Sequence, residues 1–433
     1  MEALINPQPL AGAIPAIASK SMAHRLLICA AFADHTTDIT CNTTSADIDA
    51  TVQCLNALGA RITRTRVGFR VRPHRETSSL IASQTTTLNC GESGSTLRFI
   101  LPIACALGVD ANILGAGRLA SRPLSPLYEE LMAAGANLSE QGSFPLHVSG
   151  KIRPGRFQLP GNVSSQYLSG LLLAAPLLEG KTEVVVKEPL ESRPYVTLTI
   201  RALESFGVHV HETKQTTEEG TFTTFTVPAH SSYTTPGQVS VEGDWSNAAF
   251  WLAAGCLAGP GVSVTQLDLA SPQGDRTILA ALALLGARLS RKGTQATAAP
   301  DTLNACSIDV SDCPDLVPPL AAVACFAQGT THITGAERLR LKESDRLETV
   351  TAALNALGGC VRIENDSLII KGVDSLKGGT VDAANDHRIA MMAAIAAIRA
   401  TSPVRILDAG CVAKSYPDFF KDYAVLGGNV TLS

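Results

Sequence analysis

Aromatic residues make up only 5% of this 433-residue chain and charged residues only 17%, with two tryptophans and five methionines. A core must therefore be packed from Ala, Leu, Val and Ile, and any charge that recurs within a pattern calls for an explanation. The longest wholly apolar run, near Ile389 to Ile398, falls far short of the ~18 residues that a membrane-spanning helix requires. The opening segment, MEALINPQPLAGAIPAIA, has no basic stretch leading into an apolar one, so no export signal is read there. None of the 11 cysteines forms a C-x-x-C pair, which argues against a disulfide framework and against a zinc site. Cys29, Cys105, Cys256 and Cys325 lie in apolar runs and read as buried thiols in a reducing cytoplasm. The net charge of −4 offers no overall attraction for nucleic acid or for an anionic membrane.

What the chain has is repetition. LNALGA at Leu55, LMAAGA at Leu131, LESFGV at Leu203, LALLGA at Leu282, LNALGG at Leu354 and YAVLGG at Tyr423 place a glycine every 69 to 79 residues. Each phrase ends an amphipathic Ala- and Leu-rich stretch and precedes a strand-like run such as RITRTRVGFRV or CVRIENDSLII. Glycine is the residue that lets a helix end by entering the left-handed region. One supersecondary unit, helix then glycine stop then strand, therefore fills an α/β chain six times.

Polar and cationic residues gather at the starts of expected helices. The segments are SKSMAHR (Ser19–Arg25), GESGSTLR (Gly91–Arg98), RLASRP (Arg118–Pro123), VSSQY (Val163–Tyr167), SRPY (Ser192–Tyr195), EGDWSNAAF (Glu242–Phe250), LKESDRL (Leu341–Leu347), NDHRIAMM (Asn385–Met392) and AKSYPDF (Ala413–Phe419). Unpaired amides and the positive dipole end of a helix, joined by Ser, Lys or Arg, form an anion site. Ser and Asp are also ordinary helix caps, and exposed ion pairs are common, so no single segment is decisive. In a chain with so few charges, the recurrence of Lys20, Arg25, Arg98, Arg122, Lys342, Arg346, Arg388 and Lys414 implies a multiply anionic ligand. Two familiar fingerprints fail. ASKS at Ala18 has Ser19 where a phosphate-binding loop needs Gly, and GAGRLA at Gly115 is followed by Arg122 and Pro123, which suit a loop better than a dinucleotide-binding helix.

In that order, SKS…R, GESGSTLR, SRPL, SSQYLSGLL, SRPY, EGDWS, KESDRL, NDHR and AKSYPDFF resemble the 5-enolpyruvylshikimate-3-phosphate synthase family over nearly the whole chain. The resemblance implies a two-domain enolpyruvyl transferase fold, an inside-out α/β barrel of six repeats, three per domain, with helices inward and sheets outward. One domain would span residues 19–240, mainly on the shikimate 3-phosphate side. Residues 1–18 and 241–433 would form the other, which carries the phosphoenolpyruvate carboxylate site and the acid–base residues. The implied reaction transfers the enolpyruvyl group of phosphoenolpyruvate to the 5-hydroxyl of shikimate 3-phosphate, on the route to chorismate. Because a carbon–oxygen bond breaks and no phosphoryl group moves, no metal and no cofactor are expected. The expected partners are small molecules alone, met by a cytoplasmic monomer that binds neither nucleic acid nor membrane.

Residue by residue, the resemblance assigns Lys20 to both substrates. Ser21 and Arg25 would meet the shikimate carboxylate, and Ser164, Ser165 and Ser192 its phosphate, with Gln166 under the ring and Lys342 near its oxygens. Lys20, the Gly94 amide, Arg122, Gln166 and Lys414 would hold the phosphate of phosphoenolpyruvate, and Arg346 and Arg388 would fork its carboxylate. Asp315 would be the base toward the attacking hydroxyl. Glu343 would exchange a proton with the methylene carbon, assisted by Lys20. Gly94 leaves the room that glyphosate needs in this family. The chain departs from the commonest pattern at Ala18 for Gly, His24 for Asn, Glu92 for Asn and Arg338 for Asn, and Glu92 is expected to face away from the ligand. The sister enzyme acting on UDP-N-acetylglucosamine would need Cys or Asp in its mobile loop, and AGRLASRPL has neither. A six-unit DNA clamp would need a basic channel lining and has no use for Asn385, Asp386, His387 and Arg388 beside an apolar run.

Overall fold

A computed structural model describes residues 1–74 and 85–433. The chain forms two compact units: a central one, Lys20–Val241, and a terminal one, Met1–Ser19 with Glu242–Ser433. The α-helices run α1 (Lys20–Ala31), α2 (Ala46–Ala57), α3 (Gly94–Leu107), α4 (Leu127–Ala134), α5 (Ser165–Ala174), α6 (Arg193–Ser205), α7 (Trp245–Leu257), α8 (Ile278–Leu284), α9 (Val317–Ala324), α10 (Arg346–Ala356), α11 (His387–Ala396) and α12 (Phe419–Val425). Odd-numbered helices lie inside their unit and even-numbered ones outside. Every residue of α7, α9 and α11 is buried. In α5 only Gln166 escapes burial, and in α1 only Lys20 and Ser21, so these two helices meet solvent at their first turn.

Each repeat contributes one four-stranded sheet built to a single plan. In the central unit Thr86–Asn89 runs parallel to Ala111–Leu114, which pairs antiparallel with Leu146–Gly150, itself hairpinned to Ala136–Leu138. The sheet of Arg156–Pro160, Thr182–Lys187, Gly220–Val227 and His211–Thr217 repeats this order. The remaining sheet of that unit takes its parallel edge strand from Gln238–Ser240, which pairs with Thr37–Thr40. The terminal unit has the same three sheets in circular order: Ala11–Pro15 lies beside Gly261–Thr265, and Ala3–Asn6 lies between Val404–Leu407 and Asn429–Leu432. A strand of one unit is thus followed in sequence by the inner helix of the other, at Ala11–Pro15 into α1 and at Gln238–Ser240 into α7. Gly59, Gly135, Gly207, Gly286, Gly358 and Gly427 all end an outer helix at positive φ, between 76° and 121°. The helix, glycine stop and strand read from the repeat phrases are therefore the units that form.

Small residues let the inner helices approach closely. A β-carbon at Gly170 would lie 2.2 Å from the Arg98 carbonyl and 3.1 Å from Pro102, so α5 crosses α3 backbone to backbone. Pro102 has no N–H to return to that carbonyl, which would otherwise bond within the helix. In the terminal unit the scarce aromatics are pooled. Trp251 stacks on Phe419 at 4.8 Å and meets Tyr416 edge-on, and Tyr416 and Phe420 each contact Phe419. Tyr416 receives a hydrogen bond from Trp251 Nε1 at 3.2 Å and donates one to Asp422 at 2.7 Å. Burying such rings contributes roughly 1.5–3 kcal/mol each, and here it fixes the turn that carries Lys414.

Candidate active site

In the central unit the polar group is built on the first turns of α1, α3 and α5. Lys20 Nζ lies 2.8 Å from Asp47 Oδ2 in the first turn of α2. Arg25 is 2% exposed. Its Nε donates to Thr199 Oγ1 at 2.8 Å, Nη1 to the Ser21 carbonyl at 2.7 Å, and Nη2 to the Tyr195 carbonyl at 3.0 Å and Ser169 Oγ at 3.4 Å. All of these acceptors are neutral, and burial pulls the pKa of Arg25 down to about 10. The guanidinium also lies over the Phe99 ring, 5.0 Å from its centroid, and a buried cation whose hydrogen bonds go to neutral acceptors is stabilised by any anion that reaches it.

Ser93 caps α3, accepting from Thr96 N at 3.2 Å, and Gly94 begins the helix. A β-carbon at Gly94 would fall 2.6–2.8 Å from the Arg122 guanidinium, so the two are packed face to face. Arg122 follows a 3-10 turn, Gly117–Ser121, where the dinucleotide fingerprint would have needed a helix. Its neighbour is pinned: the Pro123 carbonyl accepts from Tyr167 Oη at 2.6 Å and from Arg98 Nη2 at 3.1 Å. Gln166 joins two helices, accepting from Arg98 Nη1 at 2.8 Å and donating to Ser95 Oγ at 2.8 Å. Ser164 caps α5, Ser165 is buried beside it, and Ser192 is buried at φ 53° before α6, a left-handed backbone that costs a non-glycine residue of order 1–3 kcal/mol. Glu92 lies against the turn at Gly117, where an added β-carbon would meet its carboxylate at 2.5 Å.

The terminal unit holds a denser ionic cluster. Arg346, the first residue of α10, is 1% exposed and surrounded by three carboxylates. Nη1 donates to Asp315 Oδ1 at 2.8 Å, Nη2 to Glu343 Oε2 at 2.6 Å, and Asp386 takes Nε at 2.8 Å and Nη2 at 3.1 Å. Lys342 Nζ reaches Asp315 Oδ1 at 3.1 Å. Arg388 donates Nη2 to Ser246 Oγ at 2.6 Å and Nη1 to the Asp315 carbonyl at 3.2 Å, with Asp315 Oδ2 3.6 Å away. Burial alone would raise the Asp315 pKa, but Arg388, Lys342 and Arg346 together hold it well below the usual carboxylate range. Burial lowers the Lys342 pKa, with Asp315 opposing and Arg346 and Arg338 reinforcing. Lys414 ends a 3-10 turn and donates to the Asn385 carbonyl at 2.6 Å. Arg122, Lys342 and Lys414 thus stand at matching points, each at the end of the 3-10 turn before an outer helix.

Lys20, Ser21, Arg25, Gly94, Arg122, Ser164, Ser165, Gln166 and Ser192 fall in the central group, and Asp315, Lys342, Glu343, Arg346, Arg388 and Lys414 in the terminal one. Sequence reasoning did not assign Asp386, which caps α11 by accepting from Arg388 N at 3.0 Å and orients Arg346, nor Asp47, which anchors Lys20. For Asp386 the signal was there, an Asp at a helix cap two residues before the candidate cation Arg388; Asp47, in the first turn of α2, has no candidate cation near it in sequence. Among the described residues no cluster of three or more His, Cys, Asp or Glu could hold a metal ion.

The family model for EPSP synthase (3-phosphoshikimate 1-carboxyvinyltransferase) matches residues 5–423. The chain belongs to the EPSP synthase family. The 3-phosphoshikimate 1-carboxyvinyltransferase of Clostridium kluyveri is 40% identical over 427 residues, covering 98% of this chain and 97% of the relative. That of Clostridium novyi is 39% identical over 430 residues, again covering 98% and 97%. EPSP synthase of Acinetobacter baumannii superposes with a TM-score of 0.79 at 26% identity and full coverage of both chains. The enolpyruvyl transferase NikO of Streptomyces tendae, 18% identical with a TM-score of 0.76 over 99% of this chain and 98% of its own, shares the EPSP synthase fold.

Proposed function

We propose that this protein transfers the enolpyruvyl group of phosphoenolpyruvate to the 5-hydroxyl of shikimate 3-phosphate and releases phosphate. The observation that carries the reading is the Arg346 cluster: the carboxylates of Asp315, Glu343 and Asp386 meeting around one buried guanidinium, with Lys342 and Arg388 on Asp315, in a member of the EPSP synthase family. Addition needs a proton donated to the methylene carbon and a proton taken from the hydroxyl; elimination removes a proton from the new methyl and breaks the carbon–oxygen bond to phosphate. Asp315 takes the hydroxyl proton, and Glu343, with Lys20, serves the methylene carbon.

Arg346 and Arg388 receive the phosphoenolpyruvate carboxylate, a planar anion suited to guanidinium. In doing so they draw away from Asp315 two of the three cations that depress its pKa, so substrate binding itself strengthens the base. Lys20, the Gly94 amide, Arg122, Gln166 and Lys414 hold the phosphate of phosphoenolpyruvate. Ser21 and Arg25 take the shikimate carboxylate, Ser164, Ser165 and Ser192 the 3-phosphate, Gln166 the ring, and Asp315 and Lys342 its hydroxyls. The central unit then serves mainly shikimate 3-phosphate and the terminal unit supplies the carboxylate clamp and the acid–base pair. The protein works as a cytoplasmic monomer without nucleic acid or membrane, in keeping with its net charge of −4.

Phosphate release from phosphoenolpyruvate, with shikimate 3-phosphate or UDP-N-acetylglucosamine as acceptor and EDTA present, tests the reading. Turnover is expected with shikimate 3-phosphate alone and unchanged by EDTA; turnover with the nucleotide sugar instead would overturn it.

A further inference from the structure

His24 is wholly buried in the second turn of α1, between Lys20 and Arg25, and nothing assigned so far uses it. Its Nδ1 lies 2.7 Å from Thr51 Oγ1 on α2, and Thr51 Oγ1 lies 2.7 Å from Thr96 Oγ1 on α3. Thr96 in turn donates toward Ser93 Oγ at 2.8 Å and toward the Asp47 carbonyl at 3.3 Å. A buried file of polar groups therefore crosses three helices, and it ends at the residue that anchors Lys20 and at the cap that precedes Gly94.

The protons in this file can be counted. The single hydroxyl proton of Thr96 faces Ser93 and Asp47, so the Thr51 hydroxyl must donate to Thr96. Thr51 is then left with an acceptor lone pair for His24, which must carry its proton on Nδ1. Nε2 is buried with no hydrogen-bond partner, so a second proton would leave a buried N–H unpaired. The surrounding charges agree. Lys20 and Arg25 stand on the same helix, Asp47 on α2 is already paired with Lys20, and α3 presents Thr96 and the Phe99 ring edge-on at 6.5 Å. Burial first, then Lys20 and Arg25, hold the imidazole pKa well below its ordinary value.

We propose that His24 is a positioning residue: donating from Nδ1 through Thr51 to Thr96, it ties α1, α2 and α3 together and so sets the places of Lys20, Asp47 and Gly94. It touches no substrate. Its effect reaches the reaction through the phosphate site, which rests on the roles given above to Lys20 and the Gly94 amide.

The test uses the whole chain. In the ¹⁵N spectrum of histidine-labelled protein, with the His24 signals identified by their loss in His24→Asn, the ring is expected as the Nδ1–H tautomer, unchanged between about pH 5 and pH 9. A titrating ring, or the other tautomer, would overturn the proposal. The double variant His24→Leu/Thr51→Val removes donor and acceptor together, so no buried donor is left unpaired and the fold is retained. It is expected to raise KM for phosphoenolpyruvate about tenfold while kcat changes less than about threefold. Thr51→Ser, which keeps the hydroxyl, is expected to match the unaltered protein. A folded double variant with ordinary KM, or a Thr51→Ser as impaired as Thr51→Val, would also overturn the proposal. Should the unaltered protein not turn over shikimate 3-phosphate at all, the functional reading falls, while the spectrum still decides the tautomer.

Discussion

Replacing Gly94 by Ala puts the whole effect into one contact. The backbone there is helical, and Ala is preferred over Gly in a helix by up to ~1 kcal/mol, so the fold should be no weaker. The new β-carbon would stand 2.6 Å from Arg122 Nη1 and 2.7 Å from its Cζ. To reach ordinary contact near 3.5 Å the guanidinium must withdraw by about 0.9 Å, which a flexible side chain can do. It then leaves the amide end of α3, where the phosphate of phosphoenolpyruvate is proposed to lie. Loss of one charge-assisted hydrogen bond is worth about 1.5–3 kcal/mol, or roughly a 10- to 150-fold rise in KM. The assay is phosphate release against phosphoenolpyruvate at saturating shikimate 3-phosphate, with urea unfolding as the control. In an Arg122→Ala background the same substitution should do nothing further, because the group it displaces is gone. Additive effects in the double variant would refute the displacement argument, as would a Gly94→Ala protein more than about 1 kcal/mol less stable. Glyphosate, expected to inhibit the unaltered protein, should inhibit Gly94→Ala less.

Asp386→Asn leaves the buried Arg346 without its bidentate partner and should cost about 3–5 kcal/mol of stability in urea unfolding. Asp315 and Asp386 both have folded pKa values below the ordinary carboxylate value, so the stability they contribute is complete above that value, near ~3.9, and is lost as pH falls through the folded values. The urea midpoint should therefore hold steady from neutral pH down to about 5 and drop below about 4, and Asp386→Asn should shrink the drop. Arg346→Lys replaces a planar fork by a point charge facing three carboxylates, and kcat/KM for phosphoenolpyruvate should fall at least ~100-fold, a result a merely conserved charge would not give. Among the repeat glycines, Gly427 at φ 91° has open space around its missing β-carbon, whereas one at Gly286 would meet the Thr302 carbonyl at 2.4 Å. Gly427→Ala should then cost only left-handed strain, about 1–2 kcal/mol, and Gly286→Ala clearly more, by urea unfolding; equal costs would refute that division.

The repeat was legible because the six glycines answer a backbone requirement, positive φ at a helix end, that few other residues meet. The cationic residues were legible because a chain with 17% charge places them at matching helix starts. What the sequence could not disclose is who neutralises whom. Arg346 could have been an empty fork, yet its donors face Asp315, Glu343 and Asp386, because α10 begins where α11 and the Asp315 turn converge on it. Lys20 and Asp47 lie on different helices, and only the packing of α1 on α2 makes them a pair. The hydroxyls and the Tyr195 carbonyl that accept from Arg25 depend on α5 and α6 arriving from the third repeat.

The circular order of the terminal sheets has a consequence for how the chain folds as it is made. Ala3 pairs with Ile406 on one side and Leu432 on the other, so this strand finds both neighbours only after Leu432 has been synthesised. The central unit can close its last sheet once Ser240 has emerged, well before α11 or α12 is translated. Meanwhile Ala3–Asn6 and Ala11–Pro15 wait as unpaired apolar strands, the state most open to wrong pairing and aggregation. Refolding of the terminal unit should therefore be the slow, concentration-sensitive phase, set by the length of chain between its paired strands rather than by the strength of its core.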